Sequence, residues 1–245
     1  MIADATAFFE PGINPDQAVG TTWTWVYSGS RRRAEILMRG MPILMLTAAL
    51  VGWGGSPAAA QVPPGWRWIP DRPDTASPMV QMPPGWHITT GPGALLYDPA
   101  MRASDRYALE SEVFLFPRGS NEGYGVFLGG RNLGEATAGY LAVLLRRDGQ
   151  FAIEGRQHGV ASTQVPWTLA AAIRRVTGDS TARNVIRISV ERDSLFVEVN
   201  ATRVAGLARG ELPVEGQFGF RAGEDLSIHV SRLDFTRRLA PAPRR

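Results

Sequence analysis

Apolar and polar side chains alternate strictly along residues 184–204. Every second position is apolar in 186–190 and again in 195–199, and the positions between them are polar except at Phe196. Successive side chains of a strand point to opposite faces, so each stretch would bury one face and expose the other. Arg192-Asp193-Ser194, between the two stretches, is typical of a turn. The pattern predicts a β-hairpin with one buried and one solvated side.

The same alternation of apolar and polar residues recurs before and after this segment. Residues 106–116 predict a strand, and 139–155 predict a hairpin that turns at Asp148-Gly149. In 226–235 the apolar positions change phase, which predicts a β-bulge near Ser231-Arg232. The apolar positions that define these strands are Tyr107, Leu109, Val113 and Leu115 in the first, and Leu226, Ile228, Val230, Leu233 and Phe235 in the last.

Helix is expected to be a minor component. Only residues 167–176, with the sequence WTLAAAIRRV, have a helical character, and this stretch is short. Short strands separated by turn signals over most of the remaining chain predict an all-β fold, a two-sheet antiparallel sandwich.

Composition narrows the function classes. The 26 basic residues are all arginine, the formal net charge is only +3, and the arginine pairs are scattered, so we expect no nucleic-acid partner. The chain has no cysteine, which excludes disulfides, thiolate metal sites and cysteine nucleophiles. His87, His158 and His229 lie far apart and match no metal-ligand motif.

Residues 38–60 have the parts of a secretory signal peptide. Arginines precede an apolar run from Met41 to Trp53, and Ala58-Ala59-Ala60 supplies the small residues before a cleavage site. That run is shorter than the roughly 20 residues that a membrane-spanning helix needs. We expect cleavage after Ala60, a periplasmic or secreted bacterial protein, and no membrane association after cleavage. Residues 1–37 are then either an upstream extension or a long n-region of the signal peptide, and in both cases no part of the fold.

The mature chain divides into an entry segment, a sandwich and a tail. Residues 61–92 are rich in proline and tryptophan, and we expect Trp66, Trp68 and Trp86 to pack onto the sandwich. The sandwich spans 93–238, and 239–245 is predicted to be a disordered tail.

The order of strand motifs in 106–237 resembles a known fold. These motifs are ALESEV after Tyr107, GVFL at 125–128, VIRISV at 185–190, LFVEVN at 195–200 and GQFGF at 216–220. They are similar to the concanavalin A-like jelly rolls, above all to laminin-G-like domains and to the bacterial 3-keto-disaccharide hydrolase domain family. The resemblance implies two curved sheets of six or seven strands, the concave one often carrying a carbohydrate site.

Glu110 and Glu112 are the candidate catalytic residues. They lie two apart on a predicted strand, so their side chains share a face at a spacing that a glycosidase carboxylate pair allows. Related jelly-roll glucanases carry a third acid on that face, where this chain has Phe114 and Phe116. The Glu-x-Gln element of the hydrolase-like family also has no counterpart here. Whether the chain is an enzyme therefore stays open, with glycoside hydrolysis as the reaction if it is.

These observations leave three hypotheses. The first is an exported, noncatalytic carbohydrate-binding module, the second a glycoside hydrolase of the 3-keto-disaccharide type, and the third a structural or protein-interaction domain of the cell envelope. No cofactor is expected, except that the laminin-G-like resemblance implies calcium, whose ligands no loop is acidic enough to identify. The residues expected to contact a glycan on the concave sheet, by hydrogen bonding or stacking, are Glu112, Phe127, Arg131, Tyr140, Arg146, Arg156 and Trp167.

Overall fold

The computed structural model describes residues 62–73 and 79–238, and these form two antiparallel sheets of seven strands each. Sheet I has the strand order β1-β4-β13-β6-β7-β8-β9, and sheet II has the order β12-β11-β10-β5-β14-β3-β2. The all-β jelly-roll sandwich predicted from the sequence is confirmed. The predicted extension, signal peptide and tail lie outside the described residues, as does the cleavage site after Ala60.

The strands follow one another along the chain with short connections. The strands of the first half are β1 (Arg67–Pro70), β2 (Met79–Gln81), β3 (Trp86–Thr89), β4 (Ala94–Ala103), β5 (Tyr107–Gly119), β6 (Tyr124–Arg131) and β7 (Gly139–Leu145). Those of the second half are β8 (Gln150–Gln157), β9 (Val160–Leu169), β10 (Ala182–Val190), β11 (Ser194–Val199), β12 (Thr202–Ala208), β13 (Gly216–Ala222) and β14 (Leu226–Arg237).

The hairpin predicted at 184–204 is strands β10 and β11. Ile188 pairs with Val197, and the apolar positions of both strands are fully buried. The amide of Glu191 donates to the carbonyl of Ser194 at 2.8 Å and closes the predicted turn. The hairpin at Asp148-Gly149 is likewise present, as β7 and β8.

The predicted β-bulge in the last strand is confirmed. The register of β14 against β5 shifts between Val230 and Arg232. One extra residue at this point turns the alternation over, so that Leu233, three positions after Val230, faces the same side as Val230 and packs, partly buried, against the core.

The main core fills the space between the sheets. Both inner faces contribute aliphatic and aromatic side chains, and burying them supplies most of the driving force for folding. The largest fully buried side chains include Tyr107, Tyr124, Phe218, Leu109, Leu115 and Leu141.

The predicted helix at 167–176 is wrong. Its first three residues end strand β9, and the rest form one turn and an irregular stretch. Two side-chain amides take up backbone groups that a helix would have used. Asn184 on β10 bonds the amide and carbonyl of Arg174 at 2.9 and 3.0 Å, and Asn200, in the β11–β12 turn, donates to the carbonyl of Ala172 at 2.8 Å. Ile173 is 3% exposed in the core, which holds the segment in this irregular shape.

The proline- and tryptophan-rich entry segment supplies strands to both sheets. β1 forms one edge of sheet I, and β2 and β3 extend sheet II. Trp66, Trp68 and Trp86 are partly buried against the core, and Trp66 stacks on Phe220 with ring centroids 5.9 Å apart.

Strand β9 forms the outer edge of sheet I. Its ten residues carry no charged side chain, and Val160 and Leu169 at its ends are 70% and 63% exposed. Pro166 lies within β9. The pairing of β9 with β8 shifts register on both sides of Ile153. Within the described part of the chain, no helix is long and apolar enough to cross a membrane.

Candidate functional site

The structure separates the residues that were expected to share one surface. Phe127, Arg131, Tyr140, Arg146, Arg156 and Trp167 all lie on or beside the outer face of sheet I, the face turned away from sheet II. Glu112 is on β5 in sheet II. The expectation that Glu112 joins the other six is therefore wrong, because β5 belongs to the opposite layer of the sandwich.

An aromatic row crosses the outer face of sheet I. The ring of Phe127 meets Tyr97 on one side and Tyr140 on the other, edge to face, with centroids 6.0 and 5.9 Å apart. Between Tyr97 and Phe127 lies strand β13, where Gly219 leaves room for the rings: a Cβ at this position would be 2.8 Å from the Cβ of Tyr97. Phe127 is fully buried, so it supports the surface from beneath.

Arg146 and Trp167 lie on the same face at the end of β7 that is opposite Arg131. The guanidinium carbon of Arg146 is 3.6 Å from the centroid of the Trp167 ring, a cation–π contact. Tyr140 and Arg146 are six residues apart along the chain, which corresponds to about 20 Å in a strand. Arg146 and Trp167 are therefore too far from Arg131 to contact the same small ligand.

Two recesses open where β6 ends and β7 begins, and Arg131 and Asn132 line both. The face recess, about 420 Å³, lies over β1, β4, β13 and β6. The end recess, also about 420 Å³, lies between the β6–β7 loop, the β8–β9 turn and the β12–β13 loop. We call Arg131 and Asn132 the Arg131 ridge. The polar side chains of the face recess are Arg67, Tyr97, Arg102, Glu135 and Gln217, and those of the end recess are Thr137, Gln157, His158, Arg209, Glu211 and Glu215.

A β-bulge positions the ridge. The pairing of β6 with β7 shifts between Leu128 and Arg131, and Gly129 has a φ of +68°. A Cβ on Gly129 would lie 1.8 Å from the carbonyl oxygen of Pro213, so only glycine lets β6 pass this close to the β12–β13 loop. Arg131 then donates from Nε to the carbonyl of Glu215 at 3.1 Å. The Gly129-Gly130 pair thus aims Arg131 into both recesses.

Sequence reasoning identified Arg131, Tyr140 and Arg156 near this site and missed most of the face recess. Arg67, Tyr97, Arg102 and Gln217 come from three strands that are distant in sequence and adjacent in the sheet. Only the strand order brings them together. Asn132 carried a local signal, since its φ of +50° is a conformation that asparagine tolerates well and the preceding Gly-Gly pair marks a bulge.

Glu110 and Glu112 are held in ion pairs on the outer face of sheet II. Glu110 accepts from Arg187 at 2.8 Å and Arg232 at 2.5 Å, and Glu112 is paired with Arg183. The Ser231 hydroxyl donates to Glu112 at 2.7 Å, and this bond together with Arg183 lowers the pKa of Glu112 below its usual value. A general acid needs the opposite shift, so this environment suits a structural carboxylate.

The depressed pKa of Glu112 predicts a pH-dependent contribution to stability. A carboxyl group whose folded pKa is depressed stabilises the fold above its unfolded pKa, about 4.3, and loses this effect as pH falls through the folded value. We expect Glu112→Gln to lower the free energy of unfolding by about 1 kcal/mol at pH 7, and the difference from the parent protein to vanish near pH 2. Urea unfolding across this range measures it.

Glu122→Gln provides the control for that series. Glu122 is exposed and forms no ion pair with any residue that the structure describes. Its variant should follow the parent protein at every pH. A Glu112→Gln protein that loses as much stability on acidification as the parent would contradict the assignment.

No group of three or more histidine, aspartate or glutamate side chains among residues 62–73 and 79–238 is arranged to hold a metal ion. The calcium implied by the laminin-G-like resemblance therefore has no assigned ligands in this part of the molecule.

Neither a family model nor a curated protein sequence matches this chain. Solved structures do resemble it in fold. The carbohydrate-binding module CBM66 from Bacillus subtilis has a TM-score of 0.55 at 10% identity, covering 71% of this chain and 96% of the module. A Bacteroides ovatus GH16 protein, solved in complex with its G4G4G3G product, has a TM-score of 0.50 at 7% identity, covering 72% and 96%. The fold is a concanavalin A-like jelly roll.

Proposed function

We propose that this protein is an exported, noncatalytic carbohydrate-binding module that holds its saccharide across the Arg131 ridge. The observation that carries the proposal is the pair of open recesses, each about 420 Å³, that share Arg131 and Asn132. Small-molecule sites have volumes of this order. Guanidinium, amide and hydroxyl groups around the ridge can bond to sugar hydroxyls, while Tyr140 and the exposed Arg156 extend the polar surface along β7 and β8.

The fold supports the proposal without specifying the ligand. Of the two similar structures, one is named a carbohydrate-binding module and the other was solved with a glucan product. Both identities are too low to transfer a binding residue, so the position of the site rests on the recesses of this chain alone. Export is supported by the signal-peptide pattern of residues 38–60, and N-terminal sequencing of the exported protein tests it.

The proposal that the protein is noncatalytic rests on Glu110 and Glu112, the candidate catalytic pair from the sequence. Both form ion pairs on sheet II, away from the recesses on sheet I. The end recess contains Glu211 and Glu215, of which Glu215 is held by Arg209 at 2.7 Å. We expect no release of reducing sugar from any glycan that binds. Hydrolysis that disappears in Glu211→Gln or Glu215→Gln would overturn this part and favour a glycoside hydrolase.

A glycan array with the mature protein tests the binding itself, followed by calorimetry with the best glycan. We expect Asn132→Gly to weaken binding about tenfold, the effect of losing one well-placed hydrogen-bonding side chain. Glycine tolerates the φ of +50° at this position, so the backbone of the ridge should be kept.

Asp225→Gly is the matched control. Asp225 also has a positive φ, +51°, is exposed, and lies outside both recesses. Its variant should bind as the parent protein does. Binding by no glycan above background would overturn the proposed function, and equal affinities of the two glycine variants would show that Asn132 contributes no binding.

A further inference from the structure

We propose that the face recess binds an acidic sugar unit, whose carboxylate or sulfate lies among Arg67, Arg102 and Arg131. This inference rests on the proposed function and specifies its substrate class. Four neighbouring strands meet at the recess: β1 contributes Arg67, β4 contributes Tyr97 and Arg102, β13 contributes Gln217, and β6 ends at Arg131. The register fixes the arrangement, since Arg67 pairs with Tyr97 and Arg102 pairs with Gln217.

The recess carries an excess of positive charge. No carboxylate of the described residues lies within 4.0 Å of the guanidinium groups of Arg67, Arg102 or Arg131. Arginines elsewhere in the fold, such as Arg187 and Arg221, do form ion pairs. Glu135 is the one acidic side chain among the described lining residues. Three cations and one anion leave a net charge of about +2, which an acidic ligand would offset.

Two of the polar groups are already oriented by the backbone. Arg131 uses Nε on the carbonyl of Glu215 at 3.1 Å, which leaves its two terminal nitrogens for a ligand. Gln217 donates from Nε2 to the carbonyl of Pro99 at 3.4 Å, which leaves its amide oxygen to accept from a sugar hydroxyl. A guanidinium group matches the two oxygens of a carboxylate or sulfate geometrically, whereas an uncharged hydroxyl uses only one of its donors.

The charge is confined to one side of the Arg131 ridge. In the end recess Arg209 is neutralised by Glu215, and Glu211 and His158 are also present, so that recess has no comparable excess of positive charge. An oligosaccharide that crosses the ridge would therefore place its acidic unit in the face recess and a neutral unit in the end recess.

Two matched pairs of probes test this inference by calorimetry at low and at physiological salt. The first pair is tetragalacturonate and its methyl ester, and the second is a sulfated galactan oligosaccharide and its desulfated form. We expect the acidic member of at least one pair to bind at least tenfold more tightly, and this preference to shrink as salt screens the charges. The pair that shows the preference identifies the anionic group.

Arg67→Gln and Arg102→Gln should each weaken binding of the preferred acidic probe about tenfold. Arg192→Gln is the control, because Arg192 lies in the β10–β11 turn, is exposed, and has no ion pair among the described residues. It should leave the affinity unchanged. Circular dichroism and thermal unfolding verify that each variant is folded.

The outcomes separate the two levels of the proposal. If neutral glycans bind as tightly as their acidic partners, or if Arg67→Gln and Arg102→Gln behave like Arg192→Gln, the acidic-sugar inference is wrong while the proposed function stands. If no glycan of either kind binds, both fail.

Discussion

Asn184→Ala is expected to lower the free energy of unfolding by about 3 kcal/mol, because it leaves several buried polar groups without partners. Asn184 is fully buried. Its Oδ1 accepts from the Arg174 amide at 2.9 Å and from Asn200 at 2.8 Å. Its Nδ2 donates to the Arg174 carbonyl at 3.0 Å and to the Tyr124 hydroxyl at 3.2 Å. Tyr124 is fully buried as well, and this burial raises the pKa of its hydroxyl to about 12. Urea unfolding monitored by tryptophan fluorescence measures the loss.

Asn121→Ala is the control for this substitution. Asn121 is exposed and donates only to Asp148, at 3.0 Å, so its loss should change stability by less than about 0.5 kcal/mol. A double-mutant cycle of Asn184 with Asn200 should give a coupling energy of about 1 kcal/mol or more. Equal effects of the Asn184 and Asn121 substitutions would refute the role of the network.

Gly129→Ala is expected to destabilise the protein by about 3 kcal/mol and to weaken glycan binding at the same time. The new Cβ would approach the Pro213 carbonyl oxygen to 1.8 Å and the Val214 nitrogen to 2.9 Å, and the φ of +68° is itself unfavourable for alanine. Relief of this clash must move the β12–β13 loop, which lines the end recess. Chemical denaturation and calorimetry with the preferred glycan follow the two effects.

Gly178→Ala separates backbone strain from steric clash. Gly178 also has a positive φ, +54°, but nothing lies within 4 Å of a Cβ built there. Its alanine variant should lose only about 1 kcal/mol, the cost of the left-handed conformation. If the two alanine variants are equally stable, the close approach of β6 to the β12–β13 loop does not constrain the site.

The sandwich was predictable because its strands repeat a two-residue pattern with a buried face. The hairpin of β10 and β11 and the bulge at Ser231-Arg232 could be read from alternation alone, since a change of phase has only one simple cause in a paired strand. Residues 167–176 could not be read in this way. Their conformation is set by Asn184 and Asn200, whose side chains replace the hydrogen bonds that a helix would have made.

The site was predictable only in part, for a physical reason. Arg131 and Tyr140 flank one β6–β7 loop, so local sequence could associate them. Glu112 was associated with them as well, although β5 lies in the other sheet, because alternation indicates which residues share a face of a strand but not which sheet that strand joins. Arg67 and Arg102 were missed because exposed arginines give no signal until the strand order places them side by side.

Strand β9 has a further consequence for how copies of this protein behave at high concentration. A long, uncharged outer strand would normally recruit the backbone of a neighbouring molecule. Here Pro166 supplies no amide hydrogen, and the register shifts around Ile153 bend the strand away from a flat template. An incoming chain would find only short stretches with which to pair, so this edge of sheet I resists edge-to-edge polymerisation without needing a charge along it.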